Sequence, residues 1–404
     1  MGKPKIRFQG YTEDWEQRKL RDICSRVQGN DGRMELPTLT ISAGNGWMKQ
    51  EDRFSGNIAG KEQKNYTLLK KGELSYNHGN SKLAKYGTVF SLQTYEEALV
   101  PRVYHSFKVE KGNASFIEYY FATKLLDREL GKLISSGARM DGLLNIGYDD
   151  FMGISLLLPR TQEQSYIADY FRRLDHLITL HQRKCDETKK LKKYMLQKMF
   201  PQNGHSVPEI RFAGFTEDWE QRKLGEVAGK VIGGGTPKTN IEEYWNGDIP
   251  WIQSSNVQEN EMFNFDIPKS ITREGLDKSA AKMVPENSIA VVTHVGVGKL
   301  VFVPFPYTTS QDFTSLAELE TDANFTCYSL FQRLQNDLHV VQGSAIKGIT
   351  KDDLLTKEIM VPVIEEQKKI GECFRNLDHL ITLHQQKCEK LQKIKKFMLQ
   401  NMFV

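Results

Sequence analysis

Two stretches of this chain each occur twice, and this internal duplication limits the folds that the chain can adopt. The first stretch, residues 4–20, returns at 208–224 with 14 of 17 residues identical at an offset of 204. The second, residues 162–200, returns at 365–403 with 24 of 39 residues identical at an offset of 203. The segments between them show no convincing similarity to each other. The pattern predicts one scaffold in two copies of about 200 residues, each with a different interior.

The order of these parts predicts the domain organisation. We expect a first globule over residues 1–160, a helix over 161–203, a second globule over 204–362 and a final helix over 363–404. The repeated segments 4–20 and 208–224 open the two globules and are interpreted as structural elements. In each, a threonine followed by Glu-Asp resembles a helix N-cap.

The composition is that of a globular protein. The net charge is +4, which permits nucleic-acid binding without requiring it, because clustering on one face matters more than the total. The five cysteines form no CxxC pair, which argues against a zinc site and a disulfide framework. With no apolar N-terminal region and no run of 18 apolar residues, we expect a soluble, cytoplasmic protein.

Between the repeats, short apolar runs alternate with Gly, Asn and Pro. Strands are predicted at 154–158, 288–293 and 300–305, and helices at 115–133 and 324–341. Each block is therefore predicted to be a mixed α/β globule.

The second repeat is predicted to be a long helix with one apolar face. The spacing alternates between three and four residues for about ten turns, continuing through Leu191, Met195 and Met199. The facing residues in the two copies are Phe171, Leu174, Ile178 and His181, and Phe374, Leu377, Ile381 and His384.

Such a stripe needs a partner, and the other copy is the natural one. We predict an α+β fold in which two pseudo-twofold-related globules are separated by two helices of about 55 Å in an antiparallel coiled coil. A parallel pairing would instead put the globules side by side. His181 and His384 are interpreted as core polar residues that set the register rather than as metal ligands.

Catalytic motifs are missing from the sequence. No two prolines are adjacent, which removes the Asn/Asp-Pro-Pro-aromatic motif of adenine methyltransferases, and there is no HExxH. The run at 293–300, THVGVGKL, lacks the first glycine and the final Ser/Thr of a P-loop. The chain is therefore predicted to be a binder rather than an enzyme.

Polar residues on glycine-containing loops are the candidate binding groups, because such side chains suit contacts with base edges and phosphates. Ordinary solvated loops would have the same composition. In the first block the candidates are Asn77, His78, Asn80, Ser81, Lys82, Lys85 and Arg139. In the second block they are Lys238, Gln253, Ser254, Ser255, Asn256, His294, Lys299, Ser344 and Lys347.

Two different readers on a rigid helical rod suit a two-part, asymmetric target. Double-stranded DNA offers such targets as half-sites at a fixed separation, and about 55 Å corresponds to roughly one and a half turns of duplex.

The layout resembles the specificity subunit of type I restriction-modification systems. Block two opens with GGGTPKTNIEEYWNGDIPWIQSSNV at 233–257, which is similar to the opening of a target-recognition domain. Both blocks close on a proline followed by Glu-Gln, in LLLPRTQEQ at 156–164 and IMVPVIEEQ at 359–367. Block one departs from the pattern, with RVQGNDGRMEL at 26–36 in place of GGTP, which suggests another recognition-domain subtype.

The resemblance implies a division of labour within a host-defence complex. This chain would read a bipartite DNA target without catalysis and bind no cofactor. Its helices would dock two methyltransferase subunits, which use S-adenosylmethionine for DNA methylation, and restriction subunits would supply ATP- and Mg-dependent activity. The basic outer faces of the helices, on which Lys192 and Lys395 are placed, could also touch the DNA between the half-sites.

Two other interpretations remain open on the sequence alone. One is a coiled-coil scaffold whose globules bind protein partners. The other is an anti-restriction decoy or regulator with the same fold.

Overall fold

The computed structural model describes residues 2–54, 60–134, 143–202, 204–259, 261–294, 296–340 and 348–404. The chain forms two compact units. Unit 1 comprises Met1–Gln182 and Gln386–Val404, and unit 2 comprises Arg183–Gln385. Each unit therefore contains one globule together with parts of both long helices.

Unit 1 is built on a four-stranded antiparallel sheet in the order β2-β9-β6-β7, accompanied by the pairs β1-β10, β3-β4 and β5-β8. Its strands are β1 Glu16–Lys19, β2 Cys24–Arg26, β3 Leu39–Ser42, β4 Gly46–Lys49, β5 Thr67–Lys70, β6 Leu74–Asn77, β7 Thr88–Ser91, β8 Glu97–Val100, β9 His105–Val109 and β10 Ser155–Leu158. Its helices are α1 Leu20–Ile23, α2 Gln50–Phe54, a 3-10 turn Gly60–Asn65, α3 Ala114–Ala122, α4 Asp127–Lys132 and α5 Tyr148–Met152, followed by the long α6 Thr161–Lys198.

Unit 2 has a four-stranded antiparallel sheet in the order β12-β18-β15-β16, a mixed sheet β14-β13-β17 and the pair β11-β19. Its strands are β11 Glu220–Lys223, β12 Ala228–Gly233, β13 Trp245–Ile252, β14 Ser270–Ile271, β15 Ser288–Val292, β16 Leu300–Val303, β17 Thr308–Thr309, β18 Phe313–Leu319 and β19 Glu358–Val361. Its helices are α7 Leu224–Val227, 3-10 turns Glu242–Tyr244 and Ser254–Asn256, α8 Arg273–Asp277, α9 Ala323–Val340 and α10 Lys351–Leu355, followed by the long α11 Ile364–Asn401.

The central sheets of the two units share one topology, although their sequences show no convincing similarity. In both, a hairpin (β6-β7 or β15-β16) lies beside a later strand (β9 or β18), and that strand pairs with the first strand of the sheet (β2 or β12). A buried helix then follows, α3 or α9. The unrepeated blocks are thus variants of one α/β design.

The repeated segment at the start of each globule ties its unit together. The Arg7 guanidinium donates to both carboxylate oxygens of Glu163 at 2.6 and 2.8 Å, and the Glu163 side chain is 1% exposed. In unit 2, Arg211 binds Glu366 at 2.8 and 2.7 Å, with that carboxylate fully buried. A buried carboxylate needs such a bidentate partner, which explains why these residues recur in both copies.

The second residue after the end of each long helix packs into an aromatic pocket of its unit. Phe403 lies 5.2–6.3 Å, between ring centroids, from Phe116, Tyr120, Phe171 and Trp15 in unit 1. In unit 2, the Phe200 ring lies 5.7–6.1 Å, between ring centroids, from Trp219, Phe325 and Phe374.

The long helices pair antiparallel within each unit, as predicted. In unit 1 the Cys388 thiol lies 3.4 Å from the Ile178 carbonyl oxygen, and Lys395 forms an ion pair with Asp175. Moving forward along one helix therefore means moving backward along the other. Each helix has 38 residues, about 57 Å at 1.5 Å per residue.

Unit 2 shows the same antiparallel order. Cys185 lies opposite Ile381, and Lys192 binds Asp378 at 2.5 Å. Of the predicted packing residues, the buried ones are Phe171, Leu174, Phe374 and Ile381, and the half-buried ones are Ile178, His181, Leu377 and His384.

Two expectations about the long helices were wrong. Leu191 does not continue the apolar stripe, because its side chain is 49% exposed. Lys192, placed on the outer face, is instead buried at 9% exposure in its ion pair with Asp378, and Lys395 likewise faces Asp175. Charge pairing across the helices overrides the simple 3-4 spacing here.

Two local predictions in the globules were also wrong. Thr12 caps no helix: the residues after Trp15 form β1, which pairs antiparallel with β10, and Thr216 likewise precedes β11. The predicted helix at 115–133 is split into α3 and α4 around Lys124, whose φ of +67° is incompatible with a continuous helix. The strands predicted at 154–158, 288–293 and 300–305 are confirmed as β10, β15 and β16.

Candidate nucleic-acid interface

The loop of the β6-β7 hairpin presents most of the unit 1 candidates. Asn80, Ser81, Lys82 and Lys85 are exposed. Asn77 is half-buried: its Nδ2 donates to the Ile41 carbonyl at 3.2 Å and its Oδ1 accepts from the Gly79 amide at 3.0 Å. Asn77 therefore shapes the turn, whereas the four exposed residues can reach a ligand.

His78 has a different place from the one expected. Its side chain is 4% exposed, with Nδ1 2.6 Å from the Leu144 carbonyl oxygen and Nε2 2.9 Å from that of Val103. Its ring stacks on His105 at 4.9 Å between centroids. This burial rules His78 out as a base-contacting group, and we interpret it as a residue that positions the loops.

His105 belongs to the same buried cluster. Its Nε2 lies 2.8 Å from the Ile146 carbonyl oxygen. Burial lowers the pKa of His105 to about 4, with smaller contributions from His78 and Arg26. The ring is therefore neutral near pH 7.

Three of the predicted contacts lie outside the described residues, namely Arg139, Ser344 and Lys347. On the described side, Leu144 follows the first of these segments and donates its amide to the His78 carbonyl at 2.8 Å. Ile349 follows the second and donates to the Thr293 carbonyl at 2.7 Å. Each of these described neighbours is thus bonded to the β6-β7 or β15-β16 hairpin region of its unit.

In unit 2 the glycine-rich opening packs against neighbouring backbone. A Cβ added at Gly234 would lie 1.9 Å from the Ser310 carbonyl oxygen, and one at Gly235 would lie 2.2 Å from that of Ala280. Only glycine fits such close approaches. The turn leads to Lys238, which is exposed and whose carbonyl accepts from the Trp245 indole at 3.2 Å.

The next candidates form a 3-10 turn after β13. The Asn256 Oδ1 accepts from the Gln253 amide at 2.9 Å, so the Asn256 side chain holds the turn. Ser254 donates to the Asp312 carboxylate at 3.3 Å, and Ser255 is exposed. Ser255 and the half-buried Gln253 side chain are the groups here that face outward.

The β15-β16 loop contributes one exposed and one anchored residue. His294 is exposed, with its Nδ1 3.2 Å from the Thr293 hydroxyl. Lys299 is half-buried and donates to the Val257 carbonyl at 3.2 Å. Lys299 therefore links this loop to the end of the 3-10 turn.

Sequence reasoning missed the β17-β18 loop, which joins these parts. Asp312 accepts from Ser254 and Ser310, and its carbonyl accepts from the Thr293 amide at 2.7 Å. The exposed Gln311 accepts a hydrogen bond from Thr236 in the glycine-rich opening. The polar run at 308–312 between two apolar segments was the available signal.

The described cysteines and acids do not suggest metal or nucleophilic chemistry. Within the described ranges, no group of three or more His, Cys, Asp and Glu residues could hold a metal ion. Burial raises the pKa of the Cys24 thiol to about 12 and also raises that of Cys327. In the same described part, no helix is long and apolar enough to span a bilayer.

The two units thus carry different sets of polar loops on equivalent central sheets. A family model described as the type I restriction modification DNA specificity domain matches residues 216–393. The putative MjaX specificity subunit of Methanocaldococcus jannaschii is 25% identical over 95% of this chain and 91% of its own length.

Two further relatives match over part of their length. The MjaIX specificity subunit of the same organism is 29% identical over 46% of this chain, which spans 44% of that relative. The EcoR124I/EcoR124II specificity subunit of Escherichia coli is 31% identical over 40% of this chain and 41% of its own length. In both cases the match spans less than half of the relative.

The fold is also found in a solved structure. The crystal structure of a type I restriction-modification S subunit from M. genitalium aligns over 99% of both chains with a TM-score of 0.64 at 12% identity. Residues 216–393 therefore match a type I restriction modification DNA specificity domain, and the chain as a whole is similar in sequence and fold to type I specificity subunits.

Proposed function

We propose that this chain reads a bipartite, asymmetric DNA sequence, with one half-site bound by unit 1 and the other by unit 2. The observation that carries the proposal is the contrast between the central sheets, which have the same topology in both units, and their loops, which differ. The central sheets have one topology, and the hairpins β6-β7 and β15-β16 occupy the same place in it. The loops that these sheets support carry different side chains, so their targets should differ.

The exposed groups suit DNA. In unit 1 the hairpin offers an amide, a hydroxyl and two ammonium groups, from Asn80, Ser81, Lys82 and Lys85. Amide and hydroxyl groups can pair with base edges, and ammonium groups can bind phosphates. Unit 2 offers Lys238, Ser255, His294 and Gln311 in the corresponding role.

The helices are proposed to dock two copies of a methyltransferase subunit. Each unit exposes one leucine and one aromatic residue at equivalent repeat positions: Leu177 and Phe397 in unit 1, and Leu380 and Tyr194 in unit 2. Their exposed fractions are 39–55%. A repeated apolar pair suits a repeated partner.

The catalytic groups of the complex are assigned to other subunits. In this proposal S-adenosylmethionine belongs to the methyltransferase subunits, and ATP and Mg belong to the restriction subunits. This chain contributes DNA recognition and assembly, and binds no cofactor itself.

A block exchange tests the proposal. The chain would be produced with its methyltransferase subunit in cells that lack other DNA methylation, and modified adenines would be mapped by sequencing. We expect one split motif. Replacing residues 24–159 by the corresponding block of a relative should change one half of the motif and leave the other unchanged. An unsplit motif, no methylation, or two unchanged halves would contradict the proposal.

An insertion tests the helices as a ruler. Seven residues added between Gln182 and Lys190 preserve the helical face to within a small rotation. We expect the spacer between the half-sites to change while both half-sites stay the same. Altered half-sites with an unchanged spacer would contradict the ruler.

A further inference from the structure

The β6-β7 loop carries a hydrophobic side chain that is exposed to solvent. Leu83 is 70% exposed, the largest value among the exposed large hydrophobic residues of the described chain. Single exposed leucines are common on protein surfaces and need no explanation by themselves. Here, however, the hydrogen bonds of the turn fix the backbone so that the Leu83 side chain points outward.

The backbone around Leu83 is anchored on both sides. Ser81 and Ala84 exchange backbone hydrogen bonds at 3.1 and 3.2 Å, and the Ser81 hydroxyl accepts from the Ala84 amide at 3.1 Å. Ala84 is buried, and the Leu83 carbonyl accepts from the Lys124 ammonium at 3.2 Å. Because Ala84 occupies the inward position of a pinned turn, the Leu83 side chain is directed outward.

The neighbouring turn leaves room for the leucine. A Cβ added at Gly44, in the β3-β4 loop, would lie 3.4 Å from Cδ1 of Leu83. The side chain therefore leans across a second loop without being covered by it. A protein that held this leucine only for its own packing would bury more of it.

The surroundings of Leu83 indicate what it contacts. The exposed residues beside it are Asn80, Ser81, Lys82 and Lys85. The loop therefore combines groups that can hydrogen-bond to base edges or bind phosphates with one apolar group. On the major-groove edges of DNA, the 5-methyl group of thymine is the apolar feature. We propose that Leu83 contacts the 5-methyl group of a thymine in the half-site read by unit 1. This assignment rests on the proposed function.

An apolar contact and a phosphate contact respond differently to salt. A lysine that neutralises a phosphate releases counterions, so its loss lowers the salt dependence of binding. A methyl contact releases none. Burying one methyl group corresponds to about fourfold in affinity.

The test uses the complex of this chain with its methyltransferase subunit, and a duplex carrying the mapped motif. Each thymine of the unit 1 half-site is replaced singly by uracil, which removes only the methyl group. We expect one replacement to weaken binding by wild type about fourfold. Leu83→Ala should weaken binding to the thymine duplex similarly, show no further loss with that uracil, and keep the same slope of log K against log salt.

Leu125→Ala is the matched control. Leu125 is also an exposed leucine of unit 1, at 48%, but it lines a cleft with Tyr120 and Val404. This variant should respond to the uracil series as wild type does.

Several outcomes overturn the assignment. A half-site without thymine, a flat uracil series, or additive losses from uracil and Leu83→Ala would each exclude a methyl contact. A rise in 2-aminopurine fluorescence on binding that disappears in Leu83→Ala would instead identify a wedge between base steps. If wild type binds the split motif and the uracil series is flat, only this assignment fails. If no split motif is bound, the proposed function fails as well.

Discussion

Units 1 and 2 share a central sheet and differ in what surrounds it. Unit 1 adds the two-stranded pairs β3-β4 and β5-β8, whereas unit 2 adds the mixed sheet β14-β13-β17. The contacts that join each globule to the helices are duplicated instead, as in Arg7 with Glu163 and Arg211 with Glu366. The difference shows that two parts of each unit are under separate physical constraints. The repeated segments and long helices must make the same contacts in both units, whereas the additional strands need only cover the central sheet.

A polar cluster shows how closely the frame is repeated. In unit 2 the Tyr328 hydroxyl donates to Asp378 at 2.6 Å, and Lys192 binds the same carboxylate. In unit 1 Tyr119 donates to Asp175 at 2.9 Å, with Lys395 as the ammonium partner. Burial, followed by the adjacent carboxylate, raises the pKa of both tyrosines, so both remain hydrogen-bond donors.

The largest expected effect tests whether the two aromatic pockets are equivalent. Phe200→Ala and Phe403→Ala should each destabilise their own unit by about 3–5 kcal/mol, because each leaves a cavity in a closely packed ring cluster. The measurement is urea unfolding resolved by peptide labelling of each unit. A loss confined to one variant would break the equivalence of the frames.

The ion pairs should differ in strength between the units. Asp378→Asn removes the charge partner of a lysine whose side chain is 11% exposed, and should cost about 3 kcal/mol. Asp175→Asn should cost less, because Lys395 is 27% exposed and water can solvate it. Equal losses in the same unfolding experiment would show that exposure does not set these energies.

Acid should act on unit 1 before unit 2 through His105. Its pKa is about 4 in the folded unit, below the ordinary value, so its contribution is present above about pH 6.5 and is lost as the pH falls towards 4. The loss should be on the order of 2 kcal/mol after allowance for partial exposure. His105 pairs with the third residue of β6, and Ser315 pairs with the third residue of β15. Ser315 is therefore the counterpart in unit 2, and it does not titrate in this range.

His105→Asn is the control for this effect, since an amide can still donate to the Ile146 carbonyl. Urea midpoints of unit 1 measured between pH 7 and 4.5 should become flatter in this variant. An unchanged pH profile would assign the acid sensitivity to another group.

The smallest expected effect concerns the two proposed DNA-binding surfaces. Lys82→Ala in unit 1 and Lys238→Ala in unit 2 should each reduce the salt slope of DNA binding by about one, if each ammonium binds one phosphate. The fold should be unaffected, because both side chains are exposed. Titrations at several salt concentrations measure the slope, and a change in only one variant would mean that the two surfaces bind DNA differently.

The long helices were predicted well from the sequence because their apolar residues recur at helical spacing and the whole segment is duplicated. The 3-4 spacing of Phe171, Leu174 and Ile178 identified the long helix, and the duplication identified its partner. The common topology of the globules could not be predicted, since a sheet constrains which faces are apolar and leaves residue identity free. Lys192 was misplaced because its burial depends on Asp378, which is 186 residues away in the chain.

The candidate site was predicted only in part. Exposed loop residues such as Lys82 and Lys238 lie where solvent or a ligand can reach them, and that property follows from loop composition. The burial of His78 follows from carbonyl groups of two other segments, which local composition does not reveal. Asp312 joins three loops of unit 2 and was missed for the same reason.

The division of each long helix between two units has a consequence for synthesis. Unit 2 is one continuous stretch, Arg183–Gln385, whereas unit 1 also needs Gln386–Val404. Trp15 and Phe116 can receive Phe403 only after every residue of unit 2 has been made. The half of the protein that the ribosome makes first is therefore the half that can complete its fold last.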